Sequence, residues 1–541
     1  MFSKIYTLML LGVLFTVMAA GNADVAGPIV NPWISTDRSV NTFSAATIAA
    51  DMRRDAAGPM DRAVNFFRFY CRAMFPYSNR NEYPFPKNDQ SHMFDFVRMV
   101  NVYGYSLCTQ GNWMFASFLK QTGLTDDARG ISVPGHGTAE AFWGDKWHFM
   151  DAVVGCFVYT DKQHTDIASI DQLNADSTLL SRAAAEGRAS MPFCPWDGEA
   201  IYPEEALTVP DQWYTYRKYA LGFLLGALPE YKPVGVAEEA SHTMAFSLRP
   251  GFRLERMWDN LPGMYNLSYE YHRNNLKIQS PSPALLPPHH PDGGKGRRDE
   301  NNWPIMKPYR KTINGRDSYR YYANGRLIYE DDFTSRRILD AADSMMGLRL
   351  AGGCSALENT EPTGEAVFTL ELPYVFVGGA VSGRVELVDG GWVAVYMDLG
   401  EAEQWATLGV IEHSGDFAFN VPANLLDERY RFRVKIKLHG AQGPGTALLH
   451  FLKVEGVCQL NMYALPFLAP GENRVTVSAA ELPPGTALKV TYRWNENGWD
   501  REHVHIMSGV AESYRIDVTG SEYPRMKAVV METVANRKAA K

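Results

Sequence analysis

Beyond its first two dozen residues the sequence has no apolar run long enough to cross a bilayer, which argues against a membrane-spanning helix in the rest of the chain. It has no Cys-x-x-Cys pair, and its six cysteines, at 71, 108, 156, 194, 354 and 458, fall at no metal-ligand spacing. Nor is there a strong charge of either sign: a formal net charge of −8 over 541 residues gives no basic footprint for nucleic acid. What is present is ordinary globular material, 46% hydrophobic and 12% aromatic, and the length suggests roughly two to four domains.

The N-terminus is the exception to the absence of apolar runs. Lys4 is followed by an apolar stretch from Ile5 to Met18 and by Ala19-Ala-Gly-Asn-Ala23. A short positive region, a hydrophobic region and small residues read as a secretory signal over residues 1–23, removed after Ala23. The mature protein is therefore expected to be soluble, either secreted or periplasmic. Export permits disulfides, but the cysteine positions alone assign no connectivity.

The richest stretch runs from Cys108 to Asp151. Cys108-Thr-Gln-Gly-Asn-Trp-Met-Phe-Ala-Ser-Phe-Leu-Lys-Gln-Thr-Gly123 predicts a buried helix opened by small and polar residues and closed by a glycine C-cap. Ile131–Val133, Thr138–Trp143 and Lys146–Asp151 predict consecutive strands, the last two joined by the turn pair Gly144-Asp145. A cysteine at a helix N-terminus sees the positive end of the macrodipole and free backbone N–H groups, which favour a thiolate and are able to hold an oxyanion. The hairpin brings His136, at the start of one arm, beside Asp151, at the end of the other. Thiol, imidazole and orienting carboxylate are the parts a covalent acyl-transfer site needs.

In this order (Cys108, helix, Gly123, Ala128-Arg129, strand, His136, Glu140, Trp143, Asp151) the stretch resembles the transglutaminase-like core of the papain-like cysteine enzymes. The resemblance implies Cys108 as nucleophile, His136 as general base and acid, and Asp151 as orienting carboxylate, with no metal and no cofactor. It implies an α+β fold in which N-terminal helices pack on an antiparallel sheet. Two positions depart from the family pattern: Thr138 stands where an aromatic residue is usual, and upstream of Cys108 the nearest tryptophan is Trp33.

Of the other residues in this stretch, His148 points away from the Asp151 face by strand alternation and reads as a surface or packing histidine. Arg129 reads as a packing and salt-bridge residue and Asp145 as a turn residue; Trp113 and Gln110 are near the thiol in sequence, Trp113 reading as core. Glu140 is either structural or a support for the cleft. Asn101 and Tyr103 are candidate side-chain oxyanion donors.

Residues 24–106 read as helical with loops; Met60–Met74 sets Ala63, Phe67, Tyr70 and Met74 on one helical face, and Asp95–Val100 is a second helix. After Asp151 come Ile167–Leu173, an acidic and aromatic stretch at Trp196–Glu205 and an aromatic run at Trp213–Leu225. The Pro- and Gly-rich Ser280–Arg298 reads as an exposed loop, with His289-His290 a weak metal candidate and Lys295, Arg297, Arg298, Lys307, Arg310 and Lys311 a solvated basic group. From Ser318 onward the pattern has period two. Strands at Ala366–Leu372, Trp392–Tyr396, Tyr430–Leu438 and Leu488–Trp494, with turns at Gly378-Gly379 and Gly390-Gly391, predict antiparallel sandwich domains. These resemble modules appended to exported enzymes. The expected divisions are 1–23 signal, 24–240 transglutaminase-like domain, 241–345 irregular connection and 346–541 β-sandwich.

The expected function is an exported cysteine-dependent acyl-transfer enzyme acting on a protein or peptide, with protease, amidase and amide-crosslinking activities all open. The alternative is an inert core whose sandwich binds a cell-surface polysaccharide or a protein.

Overall fold

The structure, a computed structural model, describes residues 27–76, 95–106, 108–190, 226–236, 242–258, 261, 310–313, 316–319, 323–351, 356–400, 404–421, 423–426 and 429–536. The signal region, Cys194, Cys354, Trp196–Glu205, Trp213–Leu225, Ser280–Arg298 with His289-His290, and Lys307 lie outside the described residues. The fold is α+β, with 19% helix and 48% strand, helices gathered toward the N-terminus and antiparallel sheets dominating the C-terminal region. No helix among the described residues is long and apolar enough to cross a membrane.

The helices form where local chemistry starts and stops them. Ala45–Arg53 opens on a capping box, Ser44 accepting from the Thr47 N–H while the Thr47 hydroxyl accepts from the Ser44 N–H. Pro59–Ala73 carries proline at its first position. Its predicted face, Ala63, Phe67, Tyr70 and Met74, is at most 1% exposed. Between these residues Phe66 stacks on Phe115 and Phe118 at centroid distances of 5.2 and 4.4 Å and meets Phe96 edge-on at 4.9 Å. At about 0.5–1.5 kcal/mol per ring pair beyond area burial, this cluster fastens the helix to the Cys108–Gln121 helix. That helix closes on a Schellman motif: Gly123 has φ +62°, Leu124 N–H donates to Leu119 O at 3.0 Å and Gly123 N–H to Lys120 O at 3.1 Å.

The chain then enters a four-stranded antiparallel sheet, ordered Lys232–Val234, Asp127–Val133, His136–Trp143 and Lys146–Phe149. Gly144 and Asp145 both have positive φ, +56° and +66°, as a two-residue hairpin of matching twist requires. The Cys108–Gln121 helix lies across the two central strands.

The rest of the described chain is mainly antiparallel β-structure: a ten-stranded sheet flanked by a five-stranded and a three-stranded sheet. Alternation drives it. Arg431–His439 buries Phe432, Val434, Ile436 and Leu438 and leaves its charged residues partly or fully exposed.

Three sequence expectations are corrected. Gly378-Gly379 is not a turn: it lies within the thirteen-residue strand Val375–Leu387, beside a register shift between Phe376 and Gly378. A Cβ on Gly379 would stand 2.6 Å from the Glu455 carbonyl, so this glycine serves close strand approach. The stretch 241–345 is not only an irregular connection, since Phe252–Met257 and Gly325–Asp331 are interior strands of the ten-stranded sheet. The N-terminal segment is not only helices and loops, because Trp33–Thr36 pairs with Gly471–Ser478.

Hydrogen bonds therefore cross the expected divisions, and one set bears on the site. Residues Met99–Tyr103 form a π-helical turn just upstream of Cys108, ending at Gly104 with φ +72°. Asn461 donates from Nδ2 to Val100 O at 2.7 Å and to Ala73 O at 2.9 Å, its own N–H reaches Asn101 O at 2.8 Å, and Gln459 Nε2 donates to Val102 O at 3.1 Å. The β-rich region thus clamps the segment that delivers the chain to Cys108.

Candidate active site

Cys108 is the first residue of its helix and is partly buried. Across from it, Gly137 follows His136 on the adjacent strand, and a Cβ there would stand 2.7 Å from Thr109 Cα. Only glycine lets the strand come this close to the helix N-terminus. The Gly137 N–H and the His136 ring, both on this strand, are the groups that act on the sulfur. Thr109 Oγ1 lies 3.9 Å from Sγ.

The other side of the imidazole faces Asp151. His136 Nε2 is 2.7 Å from Asp151 Oδ2, with the His136 side chain 10% exposed and that of Asp151 fully buried. With Nε2 committed, Nδ1 is the ring nitrogen left for the thiol. The two residues are diagonal rather than opposite: the register Glu140 with Phe149, carried forward, sets Asp151 against Thr138. Asp151 reaches back because the chain turns immediately after it, Gly155 and Cys156 N–H groups both donating to its carbonyl.

Sequence reasoning did not find Asn112. One helical turn after Cys108, its Nδ2 donates to Asp151 Oδ1 at 3.0 Å and to Gly137 O at 2.7 Å, while its Oδ1 accepts from Val153 N–H at 3.3 Å. The i, i+4 spacing from Cys108 was the available signal. Val154 N–H also donates to Asp151 Oδ1, at 2.7 Å. Each Asp151 oxygen thus has a partner.

The electrostatics follow from these contacts. Burial pushes the Cys108 thiol up, but the His136 hydrogen bond and charge, the Gly137 N–H and the Thr109 hydroxyl outweigh it and bring it down to about 7. Burial pushes His136 down, yet the charge and hydrogen bond of Asp151, helped by the thiolate, raise it to about 10. Burial likewise raises Asp151, but the His136 cation, with hydrogen bonds from His136, Val154 and Asn112, holds it below its ordinary value. Near neutral pH the arrangement favours a thiolate–imidazolium pair beside a carboxylate.

The remaining candidates take structural places. Asn101 is 2% exposed and donates to Thr42 O and Val97 O, both at 2.8 Å, while Tyr103 OH lies 3.0 Å from Tyr430 OH. Both Asn101 amide hydrogens are therefore committed to backbone carbonyls, which corrects the oxyanion-donor expectation for Asn101, and the Tyr103 hydroxyl is engaged with Tyr430. His148 is not a surface residue: it is fully buried, stacked on Trp143 at 3.6 Å, with its ring nitrogens 2.7 Å from Ile167 O and 3.1 Å from Trp143 O. Arg129 meets Glu140 at 2.6 Å and lies over the Trp147 ring at 3.9 Å. Trp113 packs over Gly130, where a Cβ would meet its ring at 2.6 Å. Gln110 is buried with Nε2 3.9 Å from Met99 Sδ, and Trp33 sits in the strand paired with Gly471–Ser478.

Cys71, Cys156 and Cys458 are buried whereas Cys108 is only partly so, which makes Cys108 the most accessible of these four cysteines among the described residues. No group of three or more His, Cys, Asp or Glu side chains among the described residues is placed to hold a metal ion. In comparison with known proteins, the chain matches no family model and no curated protein.

Proposed function

We propose that this chain is an exported, cysteine-dependent acyl-transfer enzyme with a transglutaminase-like, papain-type core, acting on a protein or peptide carboxamide or peptide bond. The observation that carries the reading is the convergence of Cys108, His136 and Asp151, with the thiol brought down to about 7 and the imidazole raised.

The Cys108 thiolate attacks the carbonyl carbon, forming a C–S bond and a tetrahedral oxyanion. Backbone N–H groups in the first turn of the Cys108 helix, which lack intrahelical partners, are the donors positioned by chain order to receive it. Collapse breaks the C–N bond as His136 gives its proton to the leaving amine. The thioester is then attacked by water or by an amine, His136 taking the proton from the nucleophile and releasing carboxylic acid or new amide with Cys108 restored. Asp151 keeps the ring oriented and stabilises its cationic form.

The test is labelling by a thiol-directed amide-mimic probe, together with turnover of a peptide library followed by mass spectrometry. Cys108→Ala and His136→Ala should abolish labelling and product while retaining the native fold. Undiminished turnover in Cys108→Ala would dispose of the assignment.

A further inference from the structure

The outer face of the five-stranded sheet carries a second arrangement, independent of Cys108. With Phe432, Val434, Ile436 and Leu438 turned inward, the strand Arg431–His439 leaves Arg431, Arg433, Lys435 and Lys437 on its other face, alternate residues standing about 7 Å apart. Register places Tyr396 against Lys435 and Trp405 against Asp398. Lys435 Nζ lies 4.3 Å from the Trp405 ring centroid and 5.5 Å from that of Tyr396, and the Arg433 guanidinium lies 5.0 Å from Trp405. The rings fix cations that would otherwise sweep freely through solvent. Arg433 meets Asp398 at 3.3 Å. Lys435 and Lys437 form no ion pair among the described residues.

On the neighbouring strand, Glu365, Thr369 and Glu371 stand opposite Lys437, Arg433 and Arg431. Thr369 and Glu371 also line a cavity of about 590 Å³, where the β-rich region meets the segment leading to Cys108; Arg98, His242, Arg249 and Tyr430 line it too. Arg249 is ion-paired with Asp343. The Arg98 guanidinium lies 4.9 Å from the Tyr430 ring centroid, Nη2 is 3.1 Å from His242 Nδ1, and no carboxylate among the described residues neutralises it. Arg433 and Lys435, held by the rings, thus lie on a face that leads to a concave site lined by the Arg98 guanidinium, which forms no ion pair among the described residues.

The geometry points to an acidic polysaccharide as the occupant, lying along Lys437, Lys435 and Arg433 and placing a carboxylate-bearing sugar in the Arg98 cavity. The cations call for an anionic chain, and the volume is that of an ordinary ligand site. The interleaved carboxylates and hydroxyls choose the kind. Sugar hydroxyls donate to Glu365 and Glu371 while sugar carboxylates accept from the arginines and lysines. A phosphodiester backbone presents its charge without neighbouring donors for these glutamates, whereas each uronic-acid residue carries hydroxyls beside its carboxylate.

The experiment is affinity electrophoresis of the full chain through gels containing polygalacturonate, a neutral galactan or single-stranded RNA. Retardation by polygalacturonate alone is expected, weakened about tenfold in Lys435→Gln/Lys437→Gln and in Arg98→Gln and reduced by added salt. Turnover of a small peptide by the lysine variant should equal wild type, and its thermal unfolding should be unchanged. Equal or stronger retardation by RNA would overturn the proposal in favour of a nucleic-acid surface. Absence of retardation by polygalacturonate, or equal retardation of wild type and both variants, would overturn it outright.

Discussion

Asn112 and Asp151 are joined at 3.0 Å, and the same Asn112 amide holds the Gly137 carbonyl at 2.7 Å. One fully buried side chain, on the nucleophile's own helix, therefore fixes both the carboxylate and the strand that carries His136. Without it the three reacting groups would depend on separate elements with no shared strut.

Asn112→Ala should lower kcat by about 10–100-fold, the range that follows from ångström-scale misplacement of catalytic groups. Stability should fall by about 1–3 kcal/mol, because the Gly137 carbonyl and an Asp151 oxygen lose a buried donor. A positioning role predicts more than instability: the pH at which Cys108 becomes reactive should rise as the Asp151–His136 contact loosens. A variant that melts earlier but keeps wild-type kcat and pH profile would show that Asn112 is only structural.

Thiol reactivity should follow the same chain of charges. The reactive thiolate of Cys108 accumulates as pH rises through about 7, two units below the ordinary 9.0, and His136 stays protonated up to about 10. Carbamidomethylation of Cys108 should therefore be half-maximal near pH 7, and kcat/KM should form a bell bounded by these two values. Asp151→Asn removes the charge that raises His136; the imidazole loses its proton at lower pH, the sulfur loses its cationic neighbour, and the alkylation midpoint moves upward. Peptide mapping of iodoacetamide-treated native protein across pH reads this directly. A wild-type midpoint near 9, or one unmoved by Asp151→Asn, would contradict it.

Gly137→Ala is expected to cost more in activity than in stability. The added methyl meets Thr109 Cα at 2.7 Å; a backbone atom cannot rotate aside, so strand and helix terminus must separate. About 1–3 kcal/mol of overpacking strain would accompany a fall of roughly 100-fold in kcat, since both the Gly137 N–H and the His136 ring approach the sulfur from this strand. Chemical denaturation and single-turnover acylation separate the two quantities; full acylation rate in a destabilised variant would sink the argument.

What the sequence disclosed was local. Gly123 ends its helix at φ +62°, and Gly144-Asp145 makes the hairpin with both residues at positive φ; such positions are written in residue type. The hairpin's register brought His136 and Asp151 near each other, and the turn immediately after Asp151 completed their meeting. Asn112 escaped because its i, i+4 spacing from Cys108 shows only a shared helix face, and its partners lie 25 and 39 residues away. The pairing of Trp33–Thr36 with Gly471–Ser478 was illegible for a related reason: alternation shows that a strand wants a partner, not which of many strands it finds. Gly378-Gly379 misled because the residue that frees a turn also frees a close strand crossing.

Arg129 and Glu140 form a pair whose worth to stability depends on pH. Glu140 is 2% exposed; its Oε2 takes two Arg129 donors and its Oε1 accepts from Ile170 N–H at 3.2 Å. Burial already raises its pKa, with Arg129 acting against that rise. Arg129→Ala removes the opposing cation and strands a buried carboxylate, a loss of about 3–5 kcal/mol at neutral pH. Glu140→Gln keeps hydrogen-bonding atoms and costs less, about 1–2 kcal/mol. The sign with pH is fixed: a carboxyl raised above its unfolded value binds protons more readily when folded, so Arg129→Ala should lose less stability at pH 5 than at pH 7 relative to wild type. Urea unfolding at both pH values decides it, and a larger deficit at pH 5 would mean that Glu140 is not the group left uncompensated.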